Sequence, residues 1–193
     1  MFGSKTDASG KQLTADGKAP ILVGERVMDN TLKSVTLSED KSRIIFEFTQ
    51  KNGATFKASF WAPKEGEYFE TNLDTLKRNM LHISTKIVTE QEFWDAVANT
   101  SSFEEYANVL ITRIFSRGLG KKFNLKITYK RTDDGDIPTF PRYPNFIEKE
   151  GTEPSTFSTN PDYDFYTRSN TAAQASPNAV ETSAGASSEE PLF

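Results

Sequence analysis

The chain has 193 residues, no Cys, a single His and a formal charge of −4. That length holds one ordinary domain plus tails rather than two full domains. Without Cys there is no disulfide framework, thiolate zinc site or cysteine nucleophile, and one His (His82) excludes a multi-histidine metal centre. No apolar run approaches the ~20 residues of a membrane helix. The opening MFGSKTDASGKQ lacks the apolar core of a signal peptide. A non-enzymatic binding protein of the cytoplasm is therefore the expectation, with no cofactor and no metal.

Residues 1–19 are polar and read as a flexible N-terminal arm. From Ile21 to Leu37 the chain is β-rich, with Gly24 and Asp29-Asn30 as bend or bulge points. Arg43 to Thr49 alternates, with Ile44, Phe46 and Phe48 on one face. Lys51-Asn52-Gly53 supplies a tight hairpin. The returning strand, Ala54 to Trp61, sets Phe56, Ala58 and Phe60 against Thr55, Lys57, Ser59 and Trp61.

A helical stretch follows. Asn72 is the expected cap of a helix carrying Leu73, Leu76, Met80 and Leu81. Thr89-Glu90-Gln91-Glu92 reads as a capping box opening a short helix with Phe93, Trp94 and Val97. Ser102-Phe103-Glu104-Glu105 reads as a second box, for a helix that places Phe103, Tyr106, Leu110 and Ile114 on one face and stops at Gly118. Lys121 to Arg131 returns to period two, alternating Lys122, Asn124, Lys126, Thr128 and Lys130 against Phe123, Leu125, Ile127 and Tyr129. The turn Asp133-Asp134-Gly135 leads to a last extended stretch, Ile137 to Ile147, which Pro138, Pro141 and Pro144 confine to a sheet edge or to partial pairing.

Three strands, a helical segment and two further strands predict a mainly β fold: an OB-fold-like five-stranded barrel with the helical segment between strands 3 and 4. A small mixed α+β sheet would present the same order. The barrel domain is expected over residues 20–150.

Charge divides at the same place. Residues 1–150 hold 22 basic residues against 21 acids, whereas residues 151–193 hold Arg168 against six acids. The acidity of the chain therefore belongs to its tail, which is expected to be disordered from 151 to 193. Of residues 169–193, 15 are Ser, Ala, Asn or Thr, too few apolar groups to offset ordering. Inside the body, seven basic residues fall between Arg113 and Arg131 with no acid among them.

Single-stranded nucleic acid is held by cations that track phosphates and by aromatic faces that stack on bases. Lys57 and Trp61 share one strand face, and Lys122, Lys126 and Lys130 share another, with Arg131 beside them. Arg142 and Tyr143, between two prolines, join them on the last strand if the barrel forms. These eight residues are the candidate nucleic-acid contacts. Packing of Trp61 against a helix is the competing reading, and Tyr129 falls on the core parity. Asp133-Asp134-Gly135-Asp136 lacks the later Glu of a calcium loop and reads as a turn. No catalytic constellation is present in the pattern.

The end of the chain, Ser187-Ser188-Glu189-Glu190-Pro191-Leu192-Phe193, has the form of a short docking motif. With the body and linker, it resembles the single-stranded DNA-binding proteins of bacteria and their phages, in a divergent phage type. The tip matches at Glu189, Glu190, Pro191 and Phe193. It departs in having only two acids and in placing Leu192 before the final Phe. The resemblance implies a protein that coats single-stranded DNA during replication or recombination and recruits partner enzymes through its tip, in the host cytoplasm if phage-encoded, with homo-oligomerisation left open. The alternative is a non-enzymatic phage accessory or structural protein-binding module. A further expectation follows from charge: Asp162 to Tyr166 folds back on the basic groove and competes with DNA, its acids and aromatic rings mimicking phosphates and bases.

Overall fold

The structure is a computed structural model that describes residues 18–133, 135–141 and 145–168. Six strands form one antiparallel sheet: β1 (Gly24–Leu37), β2 (Arg43–Thr49), β3 (Thr55–Trp61), β4 (Lys122–Thr132), β5 (Gly135–Thr139) and β6 (Ile147–Lys149). Three helices lie between β3 and β4: α1 (Phe69–Ser84), α2 (Glu90–Val97) and α3 (Phe103–Val109). A π-helical turn over Leu110–Ile114 and a 3-10 turn over Phe115–Gly118 continue α3.

The β2–β3 hairpin is set by its turn. Gly53 takes φ 84°, and the Gln50 amide donates to the Ala54 carbonyl at 2.8 Å, which makes a three-residue loop. Asn52 acts through its side chain, which donates to the Pro20 carbonyl at 2.7 Å and accepts from the Ala54 amide at 3.1 Å. The register that results pairs Arg43 with Trp61, Glu47 with Lys57 and Phe48 with Phe56. β1 bends where expected. Its register shifts between Gly24 and Val27, between Val27 and Asn30, and again between Leu32 and Ser34, and Asp29 takes φ 58°. These bulges let β1 pair with both β2 and β4.

The core is aromatic. Phe46, Phe48 and Phe56 are fully buried, and Phe46 packs edge-on against Phe115 at 4.8 Å. Leu76, Met80 and Ile83 of α1, Phe93 of α2 and Leu110 and Ile114 beyond α3 close the same core.

The sheet is not closed into a barrel, which corrects the expectation. Its order is β3-β2-β1-β4-β5, with β6 also on β4, and no ladder joins β3 to β5. The expected last strand, Ile137 to Ile147, is broken in two. β5 has five residues including Pro138, which brings no N–H, so it offers little edge for β3 to pair with. The chain between β5 and β6 instead turns Phe140 and Phe146 inward. They stack at 4.5 Å, Phe140 meets Phe56 at 5.2 Å, and Phe146 meets Phe60 at 6.1 Å. Side-chain packing holds the β3 side of this core where backbone bonds would close a barrel.

α1 begins at Phe69, three residues before the expected cap, and its first turn has no side-chain cap. Asn72 therefore lies inside the helix. The capping box at Thr89 and Glu92 is complete. At α3 only half of the second box forms. Ser102 accepts from the Glu105 amide, but the Glu105 carboxylate reaches Ser101 rather than Ser102. No helix among the described residues is long and apolar enough to cross a membrane.

Residues 151–168, expected within a disordered tail, pack on the body instead. Arg26 of β1 donates to the Thr152 carbonyl at 2.5 Å and to Glu153 at 2.8 Å. Glu148 of β6 accepts from the Ser155 hydroxyl at 2.9 Å and from the Thr156 amide. The Tyr129 amide of β4 donates to the Phe165 carbonyl at 2.6 Å. Buried or half-buried polar groups of three strands thus find partners in this strap, which composition alone does not reveal.

Candidate nucleic-acid interface

The outer face of β2 and β3 carries the side chains opposite the Phe rows. Trp61 is 57% exposed at the end of β3. Its cross-strand partner Arg43 lies over the indole, 4.7 Å from the ring centroid. This is a cation–π pair fixed by hairpin register. Further along the face, Glu47 receives Lys33 at 2.9 Å and Lys57 at 3.0 Å. Hydrogen bonds from Lys33 and Lys57 hold the Glu47 carboxyl below the usual carboxylate range. Two lysines on one acid leave that cluster net positive.

Arg43 was not among the expected contacts, yet the sequence contained a signal for it. In a hairpin centred on Asn52, residues equidistant from the turn face each other, so Arg43 meets Trp61 as Glu47 meets Lys57.

Two grooves flank β3. The first, about 550 Å³, lies between the end of β3 and α1, with Trp61, Lys64, Asn72 and Asn79 in its wall. The second, about 830 Å³, lies between β3 and β5 and is lined by Lys57, Ile137 and Arg168 among others. Ile137 is exposed and stands opposite Lys130 in the β4–β5 ladder. The unpaired edges of β3 and β5 therefore border a groove whose wall carries Lys57 and Arg168 together with Glu47, the acid that Lys57 pairs.

β4 is arranged differently from the expectation. Lys126 is only 5% exposed, and its ammonium lies 2.5 Å from Asp164 and 2.6 Å from the Ser158 carbonyl. Its place in the row of exposed lysines is therefore corrected: the strap covers it. Arg131 lies 4.0 Å over the Phe165 ring, and Arg168 stands 5.6 Å over Tyr129. Lys122, half-exposed, sits between Asp29 at 3.7 Å and Glu150 at 3.6 Å. Lys130 is exposed. Of the expected cations, Lys57 and Lys130 face solvent, Lys122 is shared between two acids, and Lys126 and Arg131 are engaged by the strap. Arg142, Tyr143, Glu189, Glu190, Pro191 and Phe193 lie outside the described residues.

His82 has a structural environment. It packs edge-on against Phe146 at 5.1 Å, and its Nε2 accepts from the Asn145 amide at 3.2 Å. Burial, with the Lys86 charge nearby, lowers its pKa to about 4, so the ring is neutral. Among the described residues no cluster of three or more His, Asp or Glu is placed to hold a metal ion.

No protein-family model, curated protein or solved structure matches this chain.

Proposed function

We propose that the protein binds single-stranded DNA in replication or recombination, through the outer face of β2 and β3. The observation that carries this reading is Trp61, more than half exposed on an open sheet face with Arg43 over its ring and Lys57 along the same strand. Exposed indole and guanidinium planes stack on any base, and neighbouring ammonium groups neutralise phosphates. The strand order β3-β2-β1-β4-β5 also supports it, being the order of an OB barrel opened between β3 and β5. The strap moves the expected interface. With Lys126 paired to Asp164, DNA meets β3 and its two grooves rather than the middle of β4. The acidic tip around Glu189, Glu190, Pro191 and Phe193 would recruit replication or recombination proteins.

Titration with oligo-dT across salt, following the fluorescence of Trp61 and Trp94, tests the reading. If Arg43, Lys57, Lys64 and Lys130 meet phosphates, log affinity falls with log salt at a slope of roughly −3. Trp61→Ala then costs about 1–3 kcal/mol of binding. Absence of quenching, together with absence of a gel shift, overturns it.

The unpaired edge of β3 favours a second reading, a protein-binding module that takes an extended peptide as an added strand. That module would show no salt-dependent DNA binding.

A further inference from the structure

The helical segment between β3 and β4 supplies one wall of a groove whose other wall is the indole of Trp61. On α1, Asn72, Thr75 and Asn79 recur at spacings of three and four, which puts them on one helix face, and all three line the groove. Thr75 is already engaged, its hydroxyl donating to the Thr71 carbonyl at 2.8 Å. The carboxamides of Asn72 and Asn79 make no side-chain hydrogen bond among the described residues. Phe60 and Leu76 add apolar wall between them. Lys64 belongs to the wall and forms no ion pair among the described residues, and no carboxylate lines the groove.

An aromatic wall, two unpartnered carboxamides, an unpaired ammonium and no acid are complementary to one kind of group. A nucleobase presents a π face for the indole and a rim of donors and acceptors for the amides, and its phosphate suits the lysine. A carboxamide carries donor and acceptor side by side, which matches the adjacent donor and acceptor of a base edge. Arg43, 4.7 Å from the centroid of the same indole, is not part of the groove wall.

The geometry points to a nucleobase subsite between Trp61 and α1, in which Asn72 and Asn79 read the edge of one base of the bound strand and Lys64 holds its phosphate. This rests on the single-stranded DNA reading and extends it: the helical segment confers base preference on an interface that is otherwise indifferent to sequence.

The test uses the full chain and short fluorescent dA, dC and dT oligonucleotides, read by polarisation over a range of salt. The comparison is with Asn72→Ala, Asn79→Ala, the double variant and Lys64→Ala. Ala favours the helix, so the Asn variants are expected to fold. Each Asn substitution is expected to weaken binding of the preferred oligonucleotide about threefold to tenfold. The double variant should narrow the spread among the three sequences with an unchanged salt slope. Lys64→Ala should lower the slope by about 0.7. If the double variant binds all three as the unaltered protein does while Trp61→Ala weakens them, the base subsite is overturned and DNA binding stands. An equal loss on all three with a shallower slope also overturns it, since that marks backbone contact. If the unaltered protein shows no salt-dependent binding, both readings fall together.

Discussion

Individual residues here are decided by their surroundings as much as by their type. His82 sits against Phe146 with its Nε2 accepting from the Asn145 amide, and its pKa falls to about 4. The unfolded chain titrates it near 6.5. Below that pH the unfolded state takes up a proton that the folded state does not. Stability is thus full above about pH 6.5 and falls as the pH drops toward 4. Asp40 and Glu92 are held near 2 by hydrogen bonds, from Ser38 first and from the Thr89 amide first, and stay ionised through this window. Thermal melts between pH 7 and 4.5 should show the decline, and His82→Gln should flatten it. Lys126 is the second case. By type and parity it belongs with exposed lysines, but the strap places Asp164 against it. Asp164→Asn leaves a buried ammonium without its counter-charge and should cost about 3 kcal/mol in denaturant unfolding.

At the scale of elements, short-range signals were legible and long-range ones were not. The β2–β3 hairpin follows from two alternating runs around Asn52-Gly53, and α2 follows from its capping box. The start of α1 does not, because Phe69 opens it without any side-chain cap. The end of the third helical stretch at Gly118 is legible as a stop, but its reason is tertiary. A Cβ there would lie 2.5 Å from Cδ1 of Ile87 and 3.3 Å from Cδ2 of Leu32, so the Ile87 side chain would have to shift and Leu32 of β1 to give by a few tenths of an ångström. The adjoining backbone bonds, Gly120 amide to Leu32 carbonyl at 2.9 Å and Leu32 amide to Lys121 carbonyl at 3.0 Å, keep it there. Gly118→Ala should therefore destabilise the fold by about 1–3 kcal/mol, measured by urea unfolding.

For the whole molecule, the domain extends past the point where the composition changes. The expected boundary at 150 rested on charge, yet the chain from 151 to 168 supplies partners to Arg26, Glu148 and Lys126, all wholly or partly buried. A chain ending at residue 150 strips those partners and should melt several degrees below one ending at 168, both followed by circular dichroism. The fold-back expected of Asp162 to Tyr166 is present at Asp164 and Phe165. A strap in that place would compete with DNA for the basic residues of β4. Chains ending at 168 with Asp164 or with Asp164→Asn test it, the second binding oligo-dT more tightly at low salt if the strap competes.

The sequence by itself determined most of the elements. Period-two runs, one Gly at positive φ and one capping box are interactions within a few residues of each other, and they name β1 to β4, the hairpin and α2, but neither the start of α1 nor the break of the last strand into β5 and β6. Partition of the −4 charge likewise separated a near-neutral body from an acidic tail. Only the tertiary structure decided how the sheet ends and which basic residues face solvent. An open β3 edge depends on Phe140 and Phe146 stacking into the core, and the state of Lys126 depends on an acid 38 residues away. Contacts at that separation leave no periodic trace, because loop closure brings together residues whose spacing carries no local signal.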